Sequence, residues 1–141
     1  MILLDTSGLL AAMDSAQRHH RACAMALASA KGPLLLSPFV LAELDYLLAT
    51  RVGEAAQLAL LDEVARGAYQ LESFGAGDIQ RARAVVARYA DLKIGLADAS
   101  LVVLGARHGA RDVLTLDARH FSVLRQSNGR AFRLLPTTAP A

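Results

Sequence analysis

Apolar positions in this chain fall into short solid runs separated by stretches of helical period, and that alternation predicts the elements. Ile2, Leu3 and Leu4 follow Met1 without a polar break, as in a strand buried on both faces of a parallel sheet, and the run stops at Asp5. Gly8 to Met13 reads as a short helical turn, and Asp14 or Ser15 can cap a helix reaching about Ala30, closed by Lys31-Gly32-Pro33. Leu34-Leu35-Leu36 is a second short buried strand. Behind it, Ser37-Pro38 pairs an N-cap hydroxyl with a proline at the first helical position.

The helix that follows, Pro38 to about Thr50, places Val40, Leu41, Leu44, Leu47 and Leu48 on an apolar stripe. Glu54 to Arg66 predicts a further amphipathic helix with Leu58, Leu61 and Val64 inward. Tyr69 to Phe74 alternates, as an edge strand does. Gly75 to Gly77 is a turn, and Asp78 caps a helix with Ile79, Ala82, Val85, Val86 and Tyr89 on one side. A loop over Asp91 to Gly95 leads to a helix from about Ala97 to His108, closed by Gly109. Val113 to Asp117 is a second central strand, and Ala131 to Leu135 a last one. The expectation is an α/β fold: a single three-layer domain over residues 1–135, with a mostly parallel central sheet of four to five strands and helices on both faces. Residues 136–141 read as a flexible C-terminal tail.

Composition narrows the class. A chain of 141 residues with 54% apolar and 20% charged positions can bury a real core and is not disordered. Its high apolar share leaves room for surface buried against a partner. Cys23 stands alone, so an internal disulfide and a thiolate metal site are both excluded, and it reads as a small buried hydrophobe. The first apolar run is too short for a signal peptide and lacks a basic leader, and no run approaches the roughly 20 residues of a spanning helix. The expected address is cytoplasmic, with no membrane partner.

Four acids carry the candidate chemistry. Asp5 and Asp117 each end an apolar strand, and in open parallel sheets ligands bind beyond the carboxyl ends of strands. Glu43 follows Val40 by three and precedes Leu47 by four, which puts it on the buried stripe. Asp98 shares a face with Leu101 and Val102. Taken singly, each has a plainer role: turn or cap for Asp5 and Asp117, a dipole position for Asp98, a buried ion pair for Glu43. Taken together they would repel one another, and a hard divalent cation, Mg²⁺ or Mn²⁺, resolves that repulsion with all-oxygen ligands. Thr6, Ser7 and Thr115 supply hydroxyls beside the acids, with Thr115 two residues before Asp117 on the same side of its strand. The expected reaction is phosphodiester hydrolysis.

Setting those four acids aside leaves fifteen Lys and Arg against nine acids, a basic surround that suits a polyanion. Arg81, Arg83, Arg88, Lys93, Arg107, Arg111 and Arg119 are the cations available to RNA phosphate. His19, His20, His108 and His120 show no metal-ligand spacing and read as surface or packing residues. No phosphate-binding loop, dinucleotide fingerprint or C-x-x-C occurs, and a phosphoreceiver is excluded because neither lysine, Lys31 or Lys93, ends a strand.

In this order and spacing the pattern resembles the PIN-domain ribonucleases, and within them the VapC toxins of type II toxin–antitoxin pairs. The pieces are Leu4-Asp5-Thr6-Ser7, Ser37-Pro38 leading to Ala42-Glu43-Leu44, Gly95-Leu96-Ala97-Asp98-Ala99, and Leu114-Thr115-Leu116-Asp117 followed by Arg119-His120-Phe121. The resemblance implies that Asp5, Glu43, Asp98 and Asp117 bind metal and that Ser7 and Thr115 occupy the family's hydroxyl positions. It also implies Mg²⁺-dependent endoribonuclease activity, a homodimer, and inhibition by a VapB-like antitoxin whose C-terminal segment occupies the groove. Two alternatives stay open: a stand-alone PIN-domain RNA-processing nuclease, and a weakly active or inactive PIN-like protein-binding module.

Overall fold

β1 (Ile2–Leu4) is the centre of the sheet, and its three residues are buried. In the computed structural model, which describes residues 1–137, the chain proceeds through α1 (Thr6–Met13), α2 (His20–Ala28), β2 (Leu34–Leu36), α3 (Pro38–Arg51), α4 (Glu54–Ala65), β3 (Gln70–Leu71), α5 (Ala76–Arg88), a 3₁₀ turn at Ala90–Leu92, α6 (Leu96–His108), β4 (Asp112–Leu114), α7 (Ala118–Phe121) and β5 (Arg133–Leu135). The five strands are parallel, in the order β3-β2-β1-β4-β5. Registers run Leu3 with Leu35 on one side and Leu3 with Val113 on the other. Chain order therefore reverses at β1, with β2 and β3 to one side and β4 and β5 to the other. That reversal is the topological switch point where α/β sheets open a crevice. Helices cover both faces, as three layers require.

The core that holds this sheet is aliphatic: Leu3, Leu4, Leu9, Leu35, Leu36, Leu44, Leu48, Leu101, Leu104 and Leu114 are almost wholly buried. Gly8 lets α1 lie directly on the end of β4, because a Cβ there would sit 2.6 Å from the Leu114 carbonyl oxygen. Among the described residues, no helix is long and apolar enough to cross a membrane.

Several boundaries differ from the sequence reading, each for a local reason. The first helix is a full two turns starting at Thr6, immediately behind Asp5. Asp14 caps no long helix; its carboxylate accepts from the Ala16 amide and from Gln17 Nε2, and α2 begins only at His20. That local bonding competes with helical backbone geometry. On α4 the buried residue is Leu60, whereas Leu58 and Leu61 are exposed. The expected strand over Tyr69 to Phe74 shrinks to Gln70–Leu71, both exposed at the sheet edge. Asp78 lies inside α5 rather than at its N-cap, and reaches back to accept from the Gly75 amide at 3.0 Å. β4 ends at Leu114, so Thr115 and Asp117 lie beyond the strand rather than along it. Of the expected tail, residues 138–141 fall outside the described residues.

Candidate active site and metal centre

Where β1 and β4 end side by side, a cleft of about 420 Å³ opens, lined by Asp5, Thr6, Ser7, Glu43, Asp98, Leu116 and Asp117, with Leu10, Gln17, Leu47, Arg51, Gly95 and Ala97 completing it. All four sequence-selected acids share this cleft, although Glu43 and Asp117 arrive by different routes from those expected.

Asp5 occupies the N-cap position of α1, yet its side chain makes no cap hydrogen bond. Instead Oδ2 accepts from the Thr115 hydroxyl at 2.7 Å and the Ser7 hydroxyl at 3.0 Å. These two hydroxyls are themselves held: the Leu116 amide donates to Ser7 Oγ at 3.0 Å, and the Asp117 amide donates to Thr115 Oγ1 at 2.9 Å. Backbone bonds from the Asp5 amide to the Leu114 carbonyl and from the Thr115 amide to the Leu135 carbonyl pin both residues to the sheet. Burial pushes the Asp5 carboxyl up to about 6; the Thr115 bond works against this, the neighbouring Asp98 charge adds to it, and Ser7 opposes it. Thr6, the third hydroxyl expected to support the acids, is buried in the cleft lining with no partner for its Oγ1.

Asp98 stands in the first turn of α6, a helix that starts at the extended residue Gly95. Burial raises its pKa, His120 opposes the shift, and Asp117 and Glu43 add to it. A buried hydroxyl joint sets α6 against α3: Ser37 Oγ and Ser100 Oγ are 2.7 Å apart. Ser37 accepts from the Phe39 amide, and Ser100 donates to the Ala97 carbonyl. The joint fixes the helix carrying Glu43 against the helix carrying Asp98. Asp117 differs from Asp5: it caps α7, accepting from the His120 amide at 3.1 Å through Oδ1.

Residues 2–125 match the family model described as the PIN domain. The chain belongs to the PIN-domain family. It is 48% identical to Ribonuclease VapC26 of Mycobacterium tuberculosis over 135 residues, 96% of this chain and 100% of that protein. Among solved structures, the PIN fold recurs in M. tuberculosis VapC20, described as a sarcin-ricin loop cleaving toxin. That match has a TM-score of 0.78 and 22% identity, over 83% of this chain and 90% of that one. It recurs also in VapBC2 of Rickettsia felis, solved bound to a DNA fragment from their promoter, with a TM-score of 0.63 and 18% identity over 95% of this chain and 97% of that one. At these identities the two structures share a fold with this PIN domain.

Two corrections follow from the geometry of the PIN cleft. Glu43 does not point into the core; it is exposed. Val40, Leu44 and Leu48 form the buried stripe of α3, while Glu43 and Leu47 lie on the neighbouring face, which borders the cleft. Helical spacing alone does not separate a face turned to the core from one turned to a crevice. His120, read as surface or packing, is part of the acidic cluster: its Nδ1 lies 2.9 Å from Asp98 Oδ2 and 3.0 Å from Asp117 Oδ2. The available signal was its position three residues after Asp117, one helical turn on. His108 too has an acidic partner, Glu72, while His20 Nδ1 lies 2.8 Å from the Ala11 carbonyl oxygen.

The donor set fits a divalent cation. Ligand atoms of Asp98, Asp117 and His120 all lie within 4.8 Å of one another. Asp5 and Glu43 lie outside that tightest group but line the same cleft. Carboxylate oxygens gathered this closely suit a hard divalent cation.

Proposed function

We propose that this protein is a metal-dependent endoribonuclease whose domain, residues 1–135, cleaves RNA phosphodiester bonds as the toxin of a toxin–antitoxin pair. The observation that carries the reading is the cleft itself: four carboxylates converge on it, and the only group within ion-pair distance of any of them, among the described residues, is His120. Such an arrangement is costly unless a cation completes it. Identity of 48% to a ribonuclease across its full length supports the activity.

Asp5, Asp98 and Asp117 would hold Mg²⁺ or Mn²⁺, with Glu43 at the rim. When bound, such an ion stabilises charge on the phosphoryl oxygens and activates water at neutral pH. Ser7 and Thr115 orient the Asp5 carboxylate through their two hydrogen bonds. His120 Nδ1 bridges Asp98 Oδ2 and Asp117 Oδ2.

A cytoplasmic homodimer restrained by a VapB-like antitoxin completes the proposal. Tyr46, Leu58 and Leu61, exposed apolar side chains on α3 and α4, support a protein partner at this end of the molecule. Purified protein on structured RNA should cut with Mg²⁺ and not after chelation, and Asp5→Asn and Asp98→Asn should not cut. Equal cleavage by both variants would remove the site assignment. Failure of the parent to cut any RNA, with a small partner co-purifying, would favour the binding-module reading.

A further inference from the structure

None of the seven cations singled out from the sequence lines the acidic cleft. Arg81 pairs with Asp78, Arg107 with Glu72 and Asp78, and Arg111 with Asp112. Arg88 stacks over the Tyr89 ring at 5.5 Å. Arg83, Lys93 and Arg119 lie outside the cleft lining. Among the described residues, the one cation that lines it is Arg51, in the last turn of α3.

Arg51 follows Glu43 and Leu47 at successive intervals of four, so the three share one helix face, and all three line the cleft. Eight residues along a helix put the Arg51 and Glu43 Cα atoms about 12 Å apart. Arg51 therefore stands beyond the acidic cluster, at the far end of the same face. It has no carboxylate within ion-pair distance among the described residues, and it is exposed. Gln17, from the α1–α2 connection, is a neutral polar residue of the same lining, its Nε2 donating to Asp14. A cation at a helix C-terminus is favourable with the dipole and needs no further reason to exist. Its placement is what distinguishes it: a guanidinium without a carboxylate partner among the described residues, in a cleft whose other charged residues are four acids, makes a polyanion's path bipolar. The metal-binding end takes the phosphate that is cut, and the Arg51 end takes a neighbouring one.

Resting on the ribonuclease reading, we propose that Arg51 is a substrate-positioning residue that binds an RNA backbone phosphate next to the scissile one. The contact is to phosphate, so it sets affinity and register rather than base choice.

The test compares Arg51→Gln and Arg51→Lys with Arg83→Gln, an exposed charge away from the cleft. Binding of a labelled single-stranded RNA is read in an Asp5→Asn background across a salt series, and KM and kcat are read in the otherwise native protein. Arg51→Gln should weaken binding and raise KM about tenfold, with kcat within about twofold, and reduce the salt slope by about one. Arg51→Lys should keep the slope while losing part of the affinity. Mn²⁺ affinity by calorimetry should not move. If Arg51→Gln matches Arg83→Gln in binding, KM and salt slope, or if it loses Mn²⁺ affinity instead, the proposal is overturned. These outcomes are separate from failure of the parent to cleave, because RNA binding is read in the Asp5→Asn protein.

Discussion

Glu72, just beyond β3, and Asp5, just beyond β1, are both acids at the ends of parallel strands, yet their surroundings are opposites. Glu72 takes a hydrogen bond from Arg107 at 3.2 Å, pairs with His108 and accepts from Gln70. Arg107 bonds the Ser73 carbonyl, reaches Asp78 at 3.0 Å and lies over the Phe74 ring. Burial raises the Glu72 pKa, but the bonds from His108, Gln70 and Arg107 outweigh it and hold the group below its ordinary value. Asp5 has no cationic donor: bonds from the Thr115 and Ser7 hydroxyls and the Thr6 backbone oppose the shift, and burial with the Asp98 charge wins. The difference separates an acid whose charge is matched within the fold from one whose charge is not. Matched charge ties the β3 edge to α6 and is complete without a ligand. Unmatched charge at the switch point is a cost that a bound cation would remove.

Asp5→Asn keeps the shape and the Thr115 bond geometry while removing the charge, and cleavage should fall at least about 10²–10³-fold in initial-rate assays. Cleavage near the parental rate would place Asp5 among the structural acids.

Stability should move the other way. The folded-state pKa of Asp5 lies near 6, above the usual 3.8, so the folded protein binds this proton more tightly than the unfolded chain. Stability from this group is therefore greatest in acid and declines as pH rises from about 4 to 6. At pH 7.5, metal-free Asp5→Asn should be more stable than the parent, by on the order of 3 kcal/mol at most, in urea unfolding. A less stable variant at that pH would mean the burial cost is met within the metal-free fold. Glu72 has the reverse sign: its lowered pKa contributes stability above the ordinary glutamate range and loses it as pH falls through the folded value.

Metal should sharpen the contrast. Mn²⁺ at a hundredfold over its dissociation constant should stabilise the parent by about 2.7 kcal/mol in thermal unfolding. The gain should vanish in Asp98→Asn and persist in Glu72→Gln. Glu72→Gln itself should cost about 1–3 kcal/mol, because Arg107 and His108 lose a charged acceptor, while kcat stays at the parental value. A drop in cleavage out of proportion to that loss would link the two regions.

What local pattern could determine was considerable. Solid runs at Ile2–Leu4 and Leu34–Leu36, the Ser37-Pro38 start and the Gly109 stop were all legible, because buried strands and helix ends depend on neighbours within a few residues. The four acids were legible as well, since they stood out from apolar surroundings and matched a family order. Only the tertiary structure decided their company. Thr115 reaches Asp5 across 110 positions of sequence, and His120 reaches Asp98 across 22, so neither pairing has a local signature. The α3 face carrying Glu43, Leu47 and Arg51 has helical spacing that fits core and crevice equally. Which of these it borders depends on how α1 and α6 pack beside it, a long-range outcome of burying the leucines around β1.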